Sequence, residues 1–135
     1  MKLITRNTDY AIRALSYIAE QGEKIVSADQ MVKCLDMPRP FLRRILQILN
    51  KEGLLNSSKG KGGGFALAVS PEKITITDLM KIFQGTLKLN ECTFKKKVCP
   101  NVKDCLLKKK IDEIEKEVME RLKAITLESL LINKK

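Results

Sequence analysis

Three cysteines, Cys92, Cys99 and Cys105, fall within fourteen residues in the pattern Cys-x6-Cys-x5-Cys. Thiolates ligate zinc and iron–sulfur clusters, and they ionise most readily among positive charges. Lys95, Lys96, Lys97 and Lys103 stand among them and would also offset the negative charge of a thiolate-bound cluster. The close Cys pairs of zinc sites and the repeated Cys-x2-Cys of compact ferredoxins are both missing. An odd set is poor material for a disulfide framework. Spacing alone leaves three readings open: a metal or cluster site, a thiol switch, and structural cysteines. The fourth cysteine, Cys34, lies near the apolar face of a short helical pattern and reads as a small core hydrophobe. The chain has no histidine, which excludes His-based catalytic triads and the usual imidazole metal ligands.

A second constellation is basic. Residues 39–61 hold Arg39, Arg43, Arg44, Lys51, Lys59 and Lys61 against Glu52 alone. Arginine can donate two hydrogen bonds to guanine or pair with a phosphate. The 135 residues carry 26 basic and 16 acidic groups, a net charge of +10, so a polyanion is the first partner expected. That charge is shared equally between residues 1–70 and 71–135, so there is no basic tail.

The elements around these groups follow from caps and periodicity. Thr8-Asp9 can cap a helix running to about residue 21, with Ile12, Leu15, Ile18 and Ala19 at helical spacing and Gly22 as its stop. Ser27 with Gln30 forms a capping box for a second, short helix. A turn over residues 36–40 leads to a third, opened by Pro40, with Phe41, Leu42, Ile45, Leu46, Ile48 and Leu49 inward and Gly53 as terminator. Residues 54–58, the glycine-rich run 59–64 and the alternation of Phe65, Leu67 and Val69 predict a β-hairpin. Thr75 or Thr77 caps a fourth helix that ends at Gly85. Residues 86–104 show no period. A long helix from about Cys105 to Lys123 carries Leu107, Ile111, Ile114, Val118, Leu122 and Ile125 as a narrow near-heptad stripe, which predicts packing against a second subunit. A short helical piece follows from Thr126.

Helix, helix, turn, helix and hairpin is the order of a winged helix-turn-helix. The expected fold is mainly α with a small β-hairpin wing and a long C-terminal dimerisation helix. Residues 1–85 form the DNA-binding domain, 86–105 the cysteine-bearing loop, and 106–135 the dimerisation helix and C-terminal segment. The third helix would enter the major groove, with Arg39, Arg43 and Arg44 at its leading end, while Lys59 and Lys61 ride on the wing. A two-fold dimer would match a two-fold symmetric operator on double-stranded DNA. No nucleophile elbow or phosphate loop before a helix is present, so an enzyme is not expected. The opening residues turn polar too soon for a signal peptide, and no apolar run approaches the ~18 residues of a membrane span. A cytoplasmic protein away from membranes is expected.

The chain resembles the Rrf2 family of winged-helix regulators over nearly its whole length. The resemblance rests on Met1-Lys2-Leu3 followed by Thr8-Asp9-Tyr10-Ala11-Ile12-Arg13, on the wing Lys59-Gly60-Lys61-Gly62-Gly63-Gly64-Phe65, on Thr75-Ile76-Thr77-Asp78-Leu79, and on the cysteine triplet before a long helix. It implies a homodimeric transcription factor whose operator affinity is set by an iron–sulfur cluster on Cys92, Cys99 and Cys105. The sensed signal would be iron–sulfur or iron status, nitric oxide or redox state. It also implies DNA contacts from Pro40, Arg43, Arg44, Lys59 and Lys61. Some members complete a [2Fe–2S] centre with a histidine soon after the third cysteine, where this chain has Lys108. Others use an aspartate near the N-terminus of the partner subunit, matched here by Asp9. A [4Fe–4S] cluster with Asp9 as fourth ligand is therefore expected over [2Fe–2S], with Glu91 and Asp104 as further candidate oxygen ligands. At Arg43 several members carry an acid or amide, so the operator sequence does not carry over. The alternatives are a cluster-free regulator with a thiol or zinc switch, and a small iron–sulfur carrier or scaffold.

Overall fold

The computed structural model describes residues 3–22, 24–60, 62–85 and 106–132. Helix α1 (Arg6–Glu20), α2 (Ala28–Leu35) and α3 (Arg39–Lys51) precede a hairpin of β1 (Leu55–Ser58) and β2 (Gly64–Leu67). A 3-10 turn (Pro71–Lys73) leads to α4 (Ile76–Phe83), and α5 (Leu106–Lys123) and α6 (Leu127–Ile132) are the last elements among the described residues. The winged helix-turn-helix inferred from the sequence is the fold observed.

The caps explain most boundaries. Ser27 accepts from the Gln30 N–H at the start of α2. Thr75 and Asp78 form a reciprocal capping box at α4. The helix-turn-helix bend is made at Asp36, which closes α2 in the left-handed region at φ 53°. Arg39 is the first residue of α3, and Pro40 sits just inside it rather than opening it. Gly53, at φ 84°, follows the last turn and lets the chain reverse into β1.

The start of α1 differs from expectation. The cap is Thr5, whose hydroxyl accepts from the Thr8 N–H at 3.4 Å. Thr8 is buried, and its own hydroxyl donates to Gln84 Oε1 at 2.7 Å. Gln84 stands at the end of α4, and its Nε2 also donates to the Leu3 carbonyl at 2.9 Å. Thr8 is thus committed to a long-range bond that the local pattern does not reveal.

The main core joins Ala11, Ala14, Leu15 and Ile18 of α1 to Met31 of α2 and to Leu42, Ile45, Leu46 and Leu49 of α3. Leu55, Ile74, Leu79 and Leu127 close it. This packing fixes the angle at which α3 presents its polar face.

The apolar stripe of α5 divides into two functions. Leu122 is 8% exposed and packs with Ile76 and Met80, and Val118 and Ile125 join that cluster. Backbone bonds from Ile76 N–H to Ile125 O (3.1 Å) and from Leu127 N–H to Ile74 O (2.8 Å) tie this end to the domain. Farther toward the N-terminus, Leu107 and Ile114 are 66% and 54% exposed, and Leu106 is exposed as well. Half of the stripe docks on its own domain and half is left open.

Cys34 is exposed on α2, contrary to the buried position expected from its place beside the apolar face. The core contribution of α2 comes from Met31, with Val32 and Leu35 partly buried. The Cys34 sulfur lies one step outside that stripe and accepts a hydrogen bond from the Tyr17 hydroxyl at 3.3 Å.

Candidate nucleic-acid interface

Helix α3 presents Arg39, Arg43, Gln47 and Asn50 along one side, at spacings of four, four and three. All four are exposed. The wing stands opposite this side, and between them runs an open trough of about 470 Å³. Ser57, Ser58 and Lys59 form the facing wall, with the backbone at Gly60, Gly63 and Gly64. Residues 27–29, at the start of α2, also contribute to the lining.

The wing is held in place from below. The Val26 N–H donates to Phe65 O and the Phe65 N–H donates to Val26 O, both at 2.8 Å. Pairing Ser57 with Phe65 and Ser58 with Gly64 sets the hairpin register. Two glycines are needed for this approach. A Cβ on Gly64 would lie 2.3 Å from the Val26 carbonyl oxygen, and one on Gly63 would lie 2.3 Å from that of Ser58. The glycine run therefore serves close backbone packing as well as turning.

The basic residues are not equivalent. Arg39 pairs with Asp29, another residue of the lining, so its charge is compensated. Arg43 lines the trough and Lys59 marks its wing side. Pro40 and Arg44 are exposed on α3 but do not line it. Arg44 sits about 100° around the helix from Arg43, because each residue turns an α-helix by that angle. Lys61 lies outside the described residues. Gln47 and Asn50 join the basic residues expected from the sequence, and the four-residue step from Arg39 through Arg43 leads directly to Gln47.

Asp9 occupies the first turn of α1 and pairs with Arg13 at 3.1 Å, both side chains substantially exposed. An acid there is favoured by the helix dipole. Cys92, Cys99 and Cys105, with Glu91 and Asp104, lie outside the described residues. What the described residues give is the anchor before that segment, Gln84, which is bonded to the same helix start that carries Asp9.

A family model described as "Rrf2: Iron-dependent Transcriptional regulator" matches residues 4–133. The chain belongs to the Rrf2 family. Members of this family are transcriptional regulators. Among its Rrf2 relatives, the HTH-type transcriptional regulator NsrR of Halalkalibacterium halodurans is 33% identical over 132 residues, covering 96% of this chain and 90% of that one. IscR of T. potens is 25% identical in structure-based comparison, with a TM-score of 0.77, covering 100% of this chain and 89% of that one. CymR, described as the global cysteine regulator of B. subtilis, shares the fold at 24% identity with a TM-score of 0.82 and 98% coverage of each chain. No helix among the described residues is long and apolar enough to cross a membrane.

Proposed function

We propose that this Rrf2 protein is a homodimeric, sequence-specific DNA-binding regulator whose operator affinity is set by the state of its cysteine triplet. The observation that carries the DNA reading is the trough itself, which gathers Arg39, Arg43 and Lys59 around one open surface between α3 and the wing. Arg43 is the base-reading candidate, on the leading half of α3. Lys59, with Lys61 beside it in sequence, supplies phosphate and minor-groove contacts, and Arg44 and Pro40 flank the entry. The open end of the α5 stripe, at Leu107 and Ile114, is the surface a second subunit would cover. Two such heads suit a two-fold symmetric operator.

The group proposed for Cys92, Cys99 and Cys105 is an iron–sulfur cluster, [4Fe–4S] in preference to [2Fe–2S], with Asp9 as the oxygen ligand. Three thiolates and one carboxylate suit iron, and the family description as iron-dependent supports this choice. When bound, such a cluster supplies a redox-active centre open to small molecules at its oxygen-ligated iron. The side chain of Asp9 is exposed enough to be reached, and Arg13 is the cation it would leave. Gln84, two residues before the cysteine segment in sequence, is bonded to the start of α1, so a change in that segment would be passed to the helix that packs on α3. A coupling of ~1–3 kcal/mol would change operator affinity by ~5–150-fold.

The test begins with anaerobically purified protein, its visible spectrum and its iron and sulfide content per chain. Operator binding is then compared for wild type and Cys99→Ala. About four irons and a shifted affinity in the variant support the proposal. A colourless, iron-free protein that binds its operator selects the thiol- or zinc-switched form instead. Iron and sulfide with no preference for any duplex would point to a carrier or scaffold.

A further inference from the structure

A helix in the major groove and a hairpin in the neighbouring minor groove must straddle one sugar–phosphate strand, because a single strand separates the two grooves. We infer that the trough between α3 and the wing is the seat of that strand, and that Asn50, Ser57 and Ser58 hold its phosphates through neutral hydrogen bonds. The inference rests on the DNA-binding reading above and assigns roles within the same surface.

Asn50 closes one wall, and Ser57 and Ser58 form the other. All three are exposed, and none has a side-chain hydrogen bond among the described residues. They present one amide and two hydroxyls, groups that donate readily to phosphate oxygens. Of the basic residues on the lining, Arg39 is already paired with Asp29, while Arg43 belongs to α3 and Lys59 to the wing. The backbone at Gly60 and Gly63 lines the same wall as the serines, and without side chains there the strand can approach closely. A trough of about 470 Å³ that combines these neutral donors with Arg43 and Lys59 suits a chain of repeated anions.

The division of labour that follows is specific. Arg43 discriminates bases, Lys59 supplies salt-dependent attraction, and Asn50, Ser57 and Ser58 set the register of the protein on the duplex. Neutral donors release no counterions, so their loss lowers affinity without changing its dependence on salt.

An operator is first selected from a random duplex pool with the full-length wild-type protein. Asn50→Ala and Ser58→Ala are then compared with wild type on that operator, on single-base variants of it, and in ethylation interference. Each variant is expected to weaken binding roughly 3–10-fold, equally across the base variants. The salt slope is expected to stay at its wild-type value. Interference is expected to disappear at one or two consecutive phosphates. Altered base preference would overturn the assignment by making these residues base readers, and unchanged affinity with unchanged interference would overturn it outright. Either result leaves wild-type duplex binding intact and so leaves the proposed function standing. Failure of wild type to select any duplex would remove that function and this inference together. Both positions are exposed and Ala favours the helix at residue 50, so loss of folding does not mimic the effect.

Discussion

The hydroxyl of Thr8 and the side-chain carbonyl of Gln84 meet at 2.7 Å across 76 residues of sequence. The same Gln84 oxygen also receives the Thr5 N–H at 3.1 Å, so a single amide satisfies the opening of α1. The bond joins the N-terminal segment to the residue that closes α4.

Removing this amide leaves the buried Thr8 hydroxyl without its acceptor. Gln84→Ala is expected to cost about 1–3 kcal/mol in urea unfolding at fixed protein concentration. Gln84→Glu keeps an oxygen for Thr5 and Thr8 but loses the donor to Leu3 O, and should cost less. Equal stability of wild type and Gln84→Ala would show that water replaces the amide.

The two ends of the α5 stripe should respond differently. Leu122→Ala removes a buried side chain from the Ile76–Met80 cluster and should lower stability by ~2–4 kcal/mol. Ile114→Glu, at an exposed position, should leave the domain folded and shift sedimentation toward a monomer. A fully dimeric Ile114→Glu protein would move the interface elsewhere.

The wing depends on glycine where backbones touch. Gly64→Ala places a methyl group 2.3 Å from the Val26 carbonyl and should break the Val26–Phe65 bridge. The expected signs are faster amide exchange at both residues, a melting temperature lower by several degrees, and weaker operator binding. Gly62→Ala meets no atom within 4 Å and should cost only the strain of its positive φ, about 1 kcal/mol.

Tyr17 provides a pH signature. Its hydroxyl donates to the Cys34 sulfur, which favours the protonated phenol and raises its pKa above the ordinary 10.0. Gln30, donating to the same hydroxyl oxygen at 3.1 Å, acts in the opposite direction. The resulting stability is complete below pH 10 and is lost as pH rises through the folded-state value. Ultraviolet titration in a Tyr10→Phe background isolates this residue, and Cys34→Ala should move its transition to lower pH. An unmoved transition would show that the thiol has no hold on the phenol.

The proposed DNA-binding surface predicts separable defects. Lys59→Ala should weaken binding to every duplex and reduce the salt slope by about one unit. Arg43→Ala should cost about 1–3 kcal/mol on the operator and relax preference at one base position. Both are measured by fluorescence anisotropy on the selected operator and its single-base variants.

Elements marked by local chemistry were legible in the sequence. Ser27 with Gln30, Thr75 with Asp78, and Gly53 after α3 each act within a few residues, and each sets a boundary where expected. Thr8 could not be read the same way, since its role depends on Gln84. The exposure of Cys34 turns on which side of α2 the rest of the domain occupies. The site was legible by residue type more than by direction. Charge drew attention to Arg39, Arg43, Arg44 and Lys59, whereas the orientation of α3 turns Gln47 and Asn50 into the trough and Arg44 away from it. The cysteine segment and Lys61 lie outside the described residues, so their placement rests on the family resemblance.

The Val26–Phe65 bridge makes the wing a third strand position built onto the entry to α2, not a free arm. Its backbone is therefore already ordered before any DNA arrives. The conformational entropy lost on binding then falls chiefly on side chains, and a rigid probe of this kind gives up little free energy to organise itself. Discrimination between operators can consequently be expressed in how long the complex lasts rather than in how slowly it forms.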